Sequence, residues 1–486
     1  MTPRETLKKY FGYDTFRSPQ AEIIKAVLEH QSVVAILPTG TGKSLCFQIP
    51  ALLLPKITLV ISPLIALMED QVNHLNEAKI PATFINSSLS KEEREKREKG
   101  ILENEYKLVY STPERLKQNK FIQLLNNAGV SLVVIDEAHC ISEWGHDFRP
   151  EYRKIVKNIS KLSTKPKIAA FTATATKQTL QDILSILDLN DPQVFSVSPL
   201  RTNLSLNVIP CNTAAEQEIH LLRILDKFQN QSGIIYCATR RKVEELKQFI
   251  DFYKPKLSTF TEYYHGGMET EARALVQANF ASDKTKIILA TNAFGMGIDK
   301  ANIRFVVHWH PPASIEHYYQ EVGRGGRDRE PAECFLLLLE KNFQVVADIA
   351  LSNPLTFKHQ KQKLQSLYNF LLSQLCRTAQ IGKYFTEEKS LACENCDNCQ
   401  RKLFLPSLTR TLWNKTEKER IQSLSFWRTE YGKYIRISPY TILTDLQLLF
   451  IANLFPRTES ELLIIPGIGL GWIESHSRAY LESMVQ

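Results

Sequence analysis

Asp136 and Glu137 are adjacent carboxylates placed directly after the apolar run Leu132, Val133, Val134 and Ile135. A short apolar run of this kind reads as a buried strand, and an acidic pair at its end is where an ATPase keeps its magnesium. About ninety residues upstream, Pro38, Thr39, Gly40, Thr41, Gly42, Lys43 and Ser44 follow a second apolar run, Val33 to Leu37. Glycines there let backbone N–H groups close around phosphate oxygens, Lys43 can reach the β- and γ-phosphates, and the Ser44 hydroxyl can ligate Mg²⁺. A glycine-rich loop alone is often a plain turn and an acidic pair alone is often a solvated helix start; the two in this order point to ATP and Mg²⁺. A third constellation lies far from both. Cys393, Cys396 and Cys399 repeat at three-residue spacing, and Cys376 stands seventeen positions before the first of them. Four thiolates suit a tetrahedral structural Zn²⁺ site. The same spacing also admits an iron–sulfur cluster.

These groups need rigid elements behind them. From Ser32 to about Val197, apolar runs of strand length alternate with helix-like stretches, most clearly at 57–61, 107–110, 132–135 and 168–171. This predicts a doubly wound parallel sheet. A second series starts near Ser205, with strands at 233–237, 287–290, 305–309 and 334–339 and helical patterns at 243–252 and 271–280. Two such units in tandem create a cleft, and ligand sites at the carboxyl ends of their strands can face one nucleotide. Beyond about Lys341 the alternation gives way to helices.

The chain has 486 residues, enough for about three domains. Its apolar fraction of 43% and charged fraction of 23% are those of a globular protein rather than a disordered or fibrous one. A net charge of +8 suits a polyanion partner, although solubility charge would look the same. No apolar signal core or membrane-length run is present, which predicts a cytoplasmic protein without a membrane partner. Cys46, Cys140, Cys211, Cys237 and Cys334 fall in apolar or motif sequence and read as reduced core residues.

The phosphate loop has Leu37 where a strict Walker loop has its first glycine, but residues 38–44 keep the local pattern used by helicases. With the motifs that follow, the chain resembles superfamily 2 DNA helicases of the RecQ family from Phe11 to Cys399, about four-fifths of its length. Tyr10, Phe11 and Gly12, then Phe16, Arg17, Ser18, Pro19 and Gln20, are similar to the family's adenine-recognition segment, in which the counterpart of Gln20 hydrogen-bonds the base edge. Residues 61–71 and 110–115 resemble its strand-gripping loops, whose hydroxyls and helix N-termini contact phosphates without reading bases. The resemblance implies that Asp136 holds Mg²⁺ through its water shell and that Glu137 orients and deprotonates the attacking water. His139 would link the nucleotide to Thr172, Ala173 and Thr174, the family's coupling segment.

Residues 140–152 are similar to the RecQ aromatic-rich loop. Trp144 and Phe148 offer stacking faces for unpaired bases and Arg149 adds charge, which implies DNA as the partner, single-stranded and duplex or branched. Residues 320–328 resemble helicase motif VI, with Gly325 where relatives usually carry Ala, a change expected to loosen a helix start. Arg327 is the expected finger on γ-phosphate charge, with Arg324 assisting.

The cysteine spacing is also that of the RecQ zinc-binding subdomain. Only a short linker separates Cys399 from the final helices, so the winged-helix domain that follows this subdomain in many relatives is expected to be absent. The tail, with Tyr434, Pro439, Tyr440, Leu446, Pro456 and residues 466–469, resembles the HRDC helical domain; a generic helical bundle is the alternative. The resulting expectation is an α/β protein with two tandem RecA-like doubly wound parallel-sheet domains at 1–200 and 201–340, a zinc-binding helical subdomain at 341–402, a linker at 403–415 and an HRDC-like module at 416–486. The implied activity is ATP-dependent 3′-to-5′ DNA unwinding in recombination and repair. An RNA-dependent ATPase or a non-catalytic DNA-binding scaffold are the alternatives.

Overall fold

The computed structural model describes residues 1–38, 40–63, 65–142, 149–294, 300–353, 356–386, 392–403, 417–454, 456, 458–477 and 479–481. The first seven strands are β1 (Ser32–Ile36), β2 (Ile57–Ile61), β3 (Ala82–Ile85), β4 (Leu108–Ser111), β5 (Val130–Ile135), β6 (Lys167–Thr172) and β7 (Gln193–Ser196). They form one sheet in the order β3-β4-β2-β5-β6-β1-β7, and every pairing is parallel. Helices cover both faces, so β1 and β2 are buried along their whole length, which explains why Ser32 and Thr58 are their only polar residues. The register places Ile36 beside Thr172, Ala170 beside Ile135 and Ile135 beside Ile61. The loops carrying Lys43, Asp136, Thr172 and Ser62 therefore leave the sheet along one edge.

The second sheet contains β8 (Leu204–Pro210), β9 (Ser232–Tyr236), β10 (Thr261–Tyr264), β11 (Ile287–Ala290), β12 (Ile303–His308) and β13 (Ala332–Leu338). Its order is β10-β11-β9-β12-β13-β8, again all parallel. On β9 the chain needs glycine at 233, because a Cβ there would collide with the ring of Phe305 on β12. The two expected sheets are thus present, with β3, β7, β8 and β10 added to the strands most legible in sequence.

Helices Phe357–Leu372, Arg377–Thr386 and Asp397–Leu403 follow. They share an apolar core with the second sheet, in which Leu204, Leu206 and Val208 join Phe370, Ile381, Cys396 and Cys399. Two polar contacts fix this packing: the Val208 N–H donates to Asp397 Oδ2 at 3.1 Å, and Ser205 Oγ donates to the Asn395 carbonyl at 2.7 Å. The C-terminal helices, led by Glu417–Ile435 and Asp445–Leu454, enclose a separate core that includes Leu424, Ile442, Leu448, Ile465 and Tyr480. Among the described residues no helix is long and apolar enough to cross a membrane. The five cysteines outside the cluster are buried free thiols.

Candidate functional site: two lobes meeting at a phosphate loop

The phosphate loop turns through two left-handed glycines, Gly40 at φ +82° and Gly42 at φ +79°. Both Thr41 N–H and Thr41 Oγ1 return to the Pro38 carbonyl, at 3.3 and 2.7 Å, which closes the turn. Ser44 stands at the start of the helix Leu45–Leu53 and its side chain makes no cap bond to that helix. Thr39 lies outside the described residues.

Gln20 does not address an open base edge in this arrangement. Its side chain is 4% exposed; Nε2 donates to the carbonyls of Thr41 at 2.8 Å and Gly42 at 3.3 Å, and Oε1 accepts from the Arg17 N–H at 3.0 Å. Both amide donors are committed to the phosphate loop. Gly42 is required for this approach, since a Cβ there would sit 2.4 Å from Gln20 Nε2.

Lys43 Nζ lies 2.9 Å from Asp136 Oδ1 and 2.9 Å from Glu137 Oε1. The chain enters this pair through the Asp136 N–H, which continues the β2 ladder by donating to the Ile61 carbonyl at 2.9 Å. It then turns sharply, because Glu137 adopts a left-handed conformation at φ +49° that a non-glycine residue rarely holds. Burial opposes charge at all three groups. The two carboxylates nevertheless hold the Lys43 ammonium well above its ordinary range. Against the same burial, Lys43 and His139 hold Glu137 well below its usual carboxylate range. Asp136 moves the other way: burial raises it, Lys43 offsets part of that, and the neighbouring Glu137 charge adds to it.

His139 extends the pair into the first sheet. Its Nδ1 lies 3.3 Å from Glu137 Oε2 and 2.9 Å from Thr172 Oγ1, and Thr172 Oγ1 in turn donates to the Thr174 carbonyl at 3.1 Å. With the threonine proton directed at Thr174, the Nδ1–H tautomer of His139 matches the contact to Thr172. The acidic pair is therefore wired to the segment 172–174 by side-chain contacts.

The second lobe brings two arginines to this centre. Arg327 crosses the cleft: its Cγ lies 3.5 Å from where a Cβ on Gly40 would be, so the side chain rests on the phosphate loop. Arg324 is 7% exposed and lies beside Tyr236, whose hydroxyl donates to the Phe294 carbonyl at 3.1 Å. The expectation for Gly325 needs correction, because it follows the end of the helix Ile315–Val322 rather than opening a helix. A Cβ there would lie 3.2 Å from Ala332 Cβ and 3.3 Å from the Val322 carbonyl, so the glycine relieves crowding.

Of the residues expected to contact DNA, Trp144 and Phe148 lie outside the described residues. Arg149 Nη1 donates to the Pro63 carbonyl at 2.6 Å, tying the end of the aromatic segment to the loop after β2. Two contacts of this centre had no counterpart in the sequence reading. The Gln20 bonds to the phosphate loop had no local signal, and Tyr236 read only as a strand residue.

The four cysteine sulfurs converge, all lying within 4.8 Å of one another. A single tetrahedral ion with Zn–S bonds of about 2.3 Å needs sulfurs about 3.8 Å apart, close to this arrangement, whereas an iron–sulfur cluster must spread its cysteines around several metal atoms. Backbone amides already face the sulfurs: Arg377 N–H donates to Cys396 Sγ at 3.4 Å, and Ala379 and Cys393 N–H donate to Cys376 Sγ at 3.4 and 3.3 Å. Burial pushes the Cys396 thiol up to about 12, whereas at Cys393 the hydrogen bonds led by Thr378 outweigh burial and bring it down to about 7. The donor set fits Zn²⁺.

Comparison with known proteins agrees with this anatomy. The DEAD/DEAH box helicase family matches residues 17–183, the helicase conserved C-terminal domain 216–329, the RecQ zinc-binding family 341–400 and the HRDC domain 417–483. Only residues 401–416 separate the last two matches, too few for a winged-helix domain. The ATP-dependent DNA helicase RecQ of Haemophilus influenzae is 42% identical over 82% of this chain and 63% of its own length. The probable ATP-dependent DNA helicase RecS of Bacillus subtilis is 41% identical over 71% of this chain and 68% of its own. The chain spans a little under two-thirds of the first RecQ relatives it matches. Among solved structures, Mss116p bound to single-stranded RNA and AMP-PNP superposes with a TM-score of 0.61 at 17% identity, covering 79% of this chain and 94% of that one. The helicase MrfA bound to DNA gives 0.58 at 19% identity, covering 75% and 53%. At these identities the structural likeness speaks for the fold, while the sequence relatives and the zinc-binding match carry the family: the chain belongs to the RecQ family.

Proposed function

We propose that this protein is an ATP-dependent DNA helicase that moves 3′ to 5′ on single-stranded DNA and separates duplexes in recombination and repair. The observation that carries the reading is the meeting of Arg327 from the second lobe with the phosphate loop that presents Lys43. A triphosphate bound by that loop would have Lys43 on its β- and γ-phosphates and Arg327 positioned for charge developing at the γ-phosphate, with Arg324 behind it. Asp136 and Ser44 are the groups that would hold Mg²⁺, which supplies neutralising charge to the phosphates. Glu137 is held ionised by Lys43 and His139 in this arrangement, and once Lys43 turns to the phosphates its carboxylate would orient the attacking water and accept its proton. Through His139 and Thr172, a change at Glu137 reaches residues 172–174. Alternating closure and opening of the lobes would convert hydrolysis into stepping, with Trp144, Phe148 and Arg149 holding unpaired bases.

DNA is preferred over RNA because the aromatic segment and the zinc-binding match occur together and the relatives named RecQ are DNA helicases. A mimivirus relative, 39% identical, carries the name putative ATP-dependent RNA helicase, so RNA belongs in the assay. ATP turnover measured with single-stranded DNA, duplex DNA and RNA tests the reading, together with unwinding of 3′- and 5′-tailed duplexes. Stimulation by DNA and unwinding from the 3′ tail are expected. Turnover driven by RNA alone would replace this reading with that of an RNA-dependent ATPase. In a bacterial cell we place the protein in the cytoplasm, at the nucleoid.

A further inference from the structure

The connection between the lobes runs from Ser196, where β7 ends, to Leu204, where β8 begins. Its last residues grip the segment that carries both arginines. Arg201 Nη1 donates to the Gly323 carbonyl at 2.9 Å, and Arg201 Nη2 donates to the Gly326 carbonyl and, at 3.3 Å, to Asn203 Oδ1. Asn203 Nδ2 donates to the same Gly326 carbonyl at 2.9 Å and to the Glu330 carbonyl at 2.8 Å. The Asn203 carbonyl accepts the Ala332 N–H at 3.0 Å, and the hydroxyl of Tyr319, on the helix before the arginines, donates to the Pro199 carbonyl. Three carbonyls spanning residues 323–330 are thus held by two side chains of the hinge.

The glycines of this segment fit the same contact. Gly326 adopts φ +53°, and a Cβ on it would lie 2.5 Å from both Asn203 Nδ2 and the Glu330 carbonyl. Only a residue without a side chain lets the amide come this close. Arg201 is suited to its task because a planar guanidinium can direct two N–H groups at two separate carbonyls, which an ammonium cannot do with fixed geometry.

We propose that Arg201 and Asn203 are positioning residues of the ATPase centre: they lock the backbone of residues 323–330 to the interlobe connection where it enters β8, so that Arg324 and Arg327 are held in place where the lobes meet. This rests on the functional reading above, in which those arginines act on the γ-phosphate. Neither residue touches nucleotide or DNA in this role. Their loss should therefore affect the turnover step and spare ligand binding.

The test uses the full chain with Asn203→Asp, which keeps shape but turns an acceptor toward two carbonyls, and Arg201→Lys, which keeps charge but loses the fork. DNA-saturated turnover should fall at least about tenfold in Asn203→Asp and by less in Arg201→Lys, with the KM for ATP and half-saturating DNA within about threefold of the parent. The preference for ADP with aluminium fluoride over ADP alone should fall in parallel, because that mimic reports contacts to the transferred phosphoryl group. Amide hydrogen exchange at residues 325–329 should quicken in both variants, a readout that needs no turnover. Unchanged exchange and an unchanged fluoride preference in folded variants would overturn the proposal. So would an equal loss of ADP and DNA binding, which would mark the residues as merely structural. A parent without DNA-stimulated turnover but with the quickened exchange in its variants would refute the functional reading while leaving the clamp in place.

Discussion

Glu137→Gln removes one charge from the cluster of Lys43, Asp136 and His139 while keeping the volume of the side chain. Lys43 keeps Asp136 at 2.9 Å, so the variant does not strand a lone ammonium. One charge-assisted hydrogen bond of about 1.5–3 kcal/mol becomes a neutral one of about 0.5–1.5 kcal/mol, a net loss near 1 kcal/mol for the first lobe. The chemical step suffers far more. Losing a general base costs about 10²- to 10⁴-fold, or about 2.7–5.4 kcal/mol of barrier. The stability difference also has a defined pH dependence. Glu137 is held below its unfolded value, so its contribution is present above about pH 4.3 and lost as the pH falls toward its folded value. Parent and variant should therefore converge in stability on the acid side and differ most near neutrality. DNA-stimulated phosphate release at saturating ATP, fluorescent-nucleotide titration and denaturation followed from pH 7 down to about pH 2 read these three effects. Turnover within tenfold of the parent, or loss of nucleotide binding, would refute the assignment of Glu137 as base.

Trp144→Ala should leave basal ATP turnover largely intact and lower the ratio of DNA-stimulated to basal rate, since a stacking contact is lost without touching the phosphates; an unchanged ratio would assign Trp144 to the core. Purified protein should carry about one zinc per chain, and Cys396→Ala should lower the unfolding transition of the subdomain, because metal binding supplies folding energy; elemental analysis finding iron, with visible absorbance, would contradict this. With only residues 401–416 between the zinc-binding and HRDC matches, a short 3′-tailed duplex should be unwound far better than one several times longer at matched turnover. Equal single-encounter unwinding of both would reveal a strand-separating wedge elsewhere in the chain.

How much of this was legible in the sequence follows from what each element buries. β1, β2 and β5 lie in the sheet interior, so their residues are almost all apolar, with Ser32, Thr58 and Ser131 the exceptions, and could be read directly. The edge strands β7 and β10 are only partly buried; Gln193 and Glu262 belong to them, and neither the length nor the pattern of these strands distinguishes them from loop. Lys43, Asp136, Glu137 and the four cysteines were legible because phosphate and metal chemistry demand fixed residue types at fixed spacing. Gln20, Tyr236, Arg201 and Asn203 were not read in their structural roles, because their partners are main-chain carbonyls, and any sequence supplies a carbonyl. Gly325 was misplaced for a related reason: its helix ends at Val322, and the turn after it is held by long-range contacts rather than by a local stop signal.

The cysteine cluster has a consequence beyond its own fold. β8 is an edge of the second sheet, and an uncovered edge strand is a template for pairing with other chains. Here the subdomain shields it: Asp397 takes the Val208 N–H, the Asn395 carbonyl takes the Ser205 hydroxyl, and the side chains of Leu204, Leu206 and Val208 are packed beneath the cysteines. Asn395 and Asp397 stand on either side of Cys396, so gathering the thiols helps hold both in place, and Arg377 Nε anchors Asp397 Oδ1 at 3.0 Å. Metal starvation or thiol oxidation should therefore loosen the cover over a ready-made β-edge on an otherwise folded lobe and turn the damaged protein into an aggregation hazard.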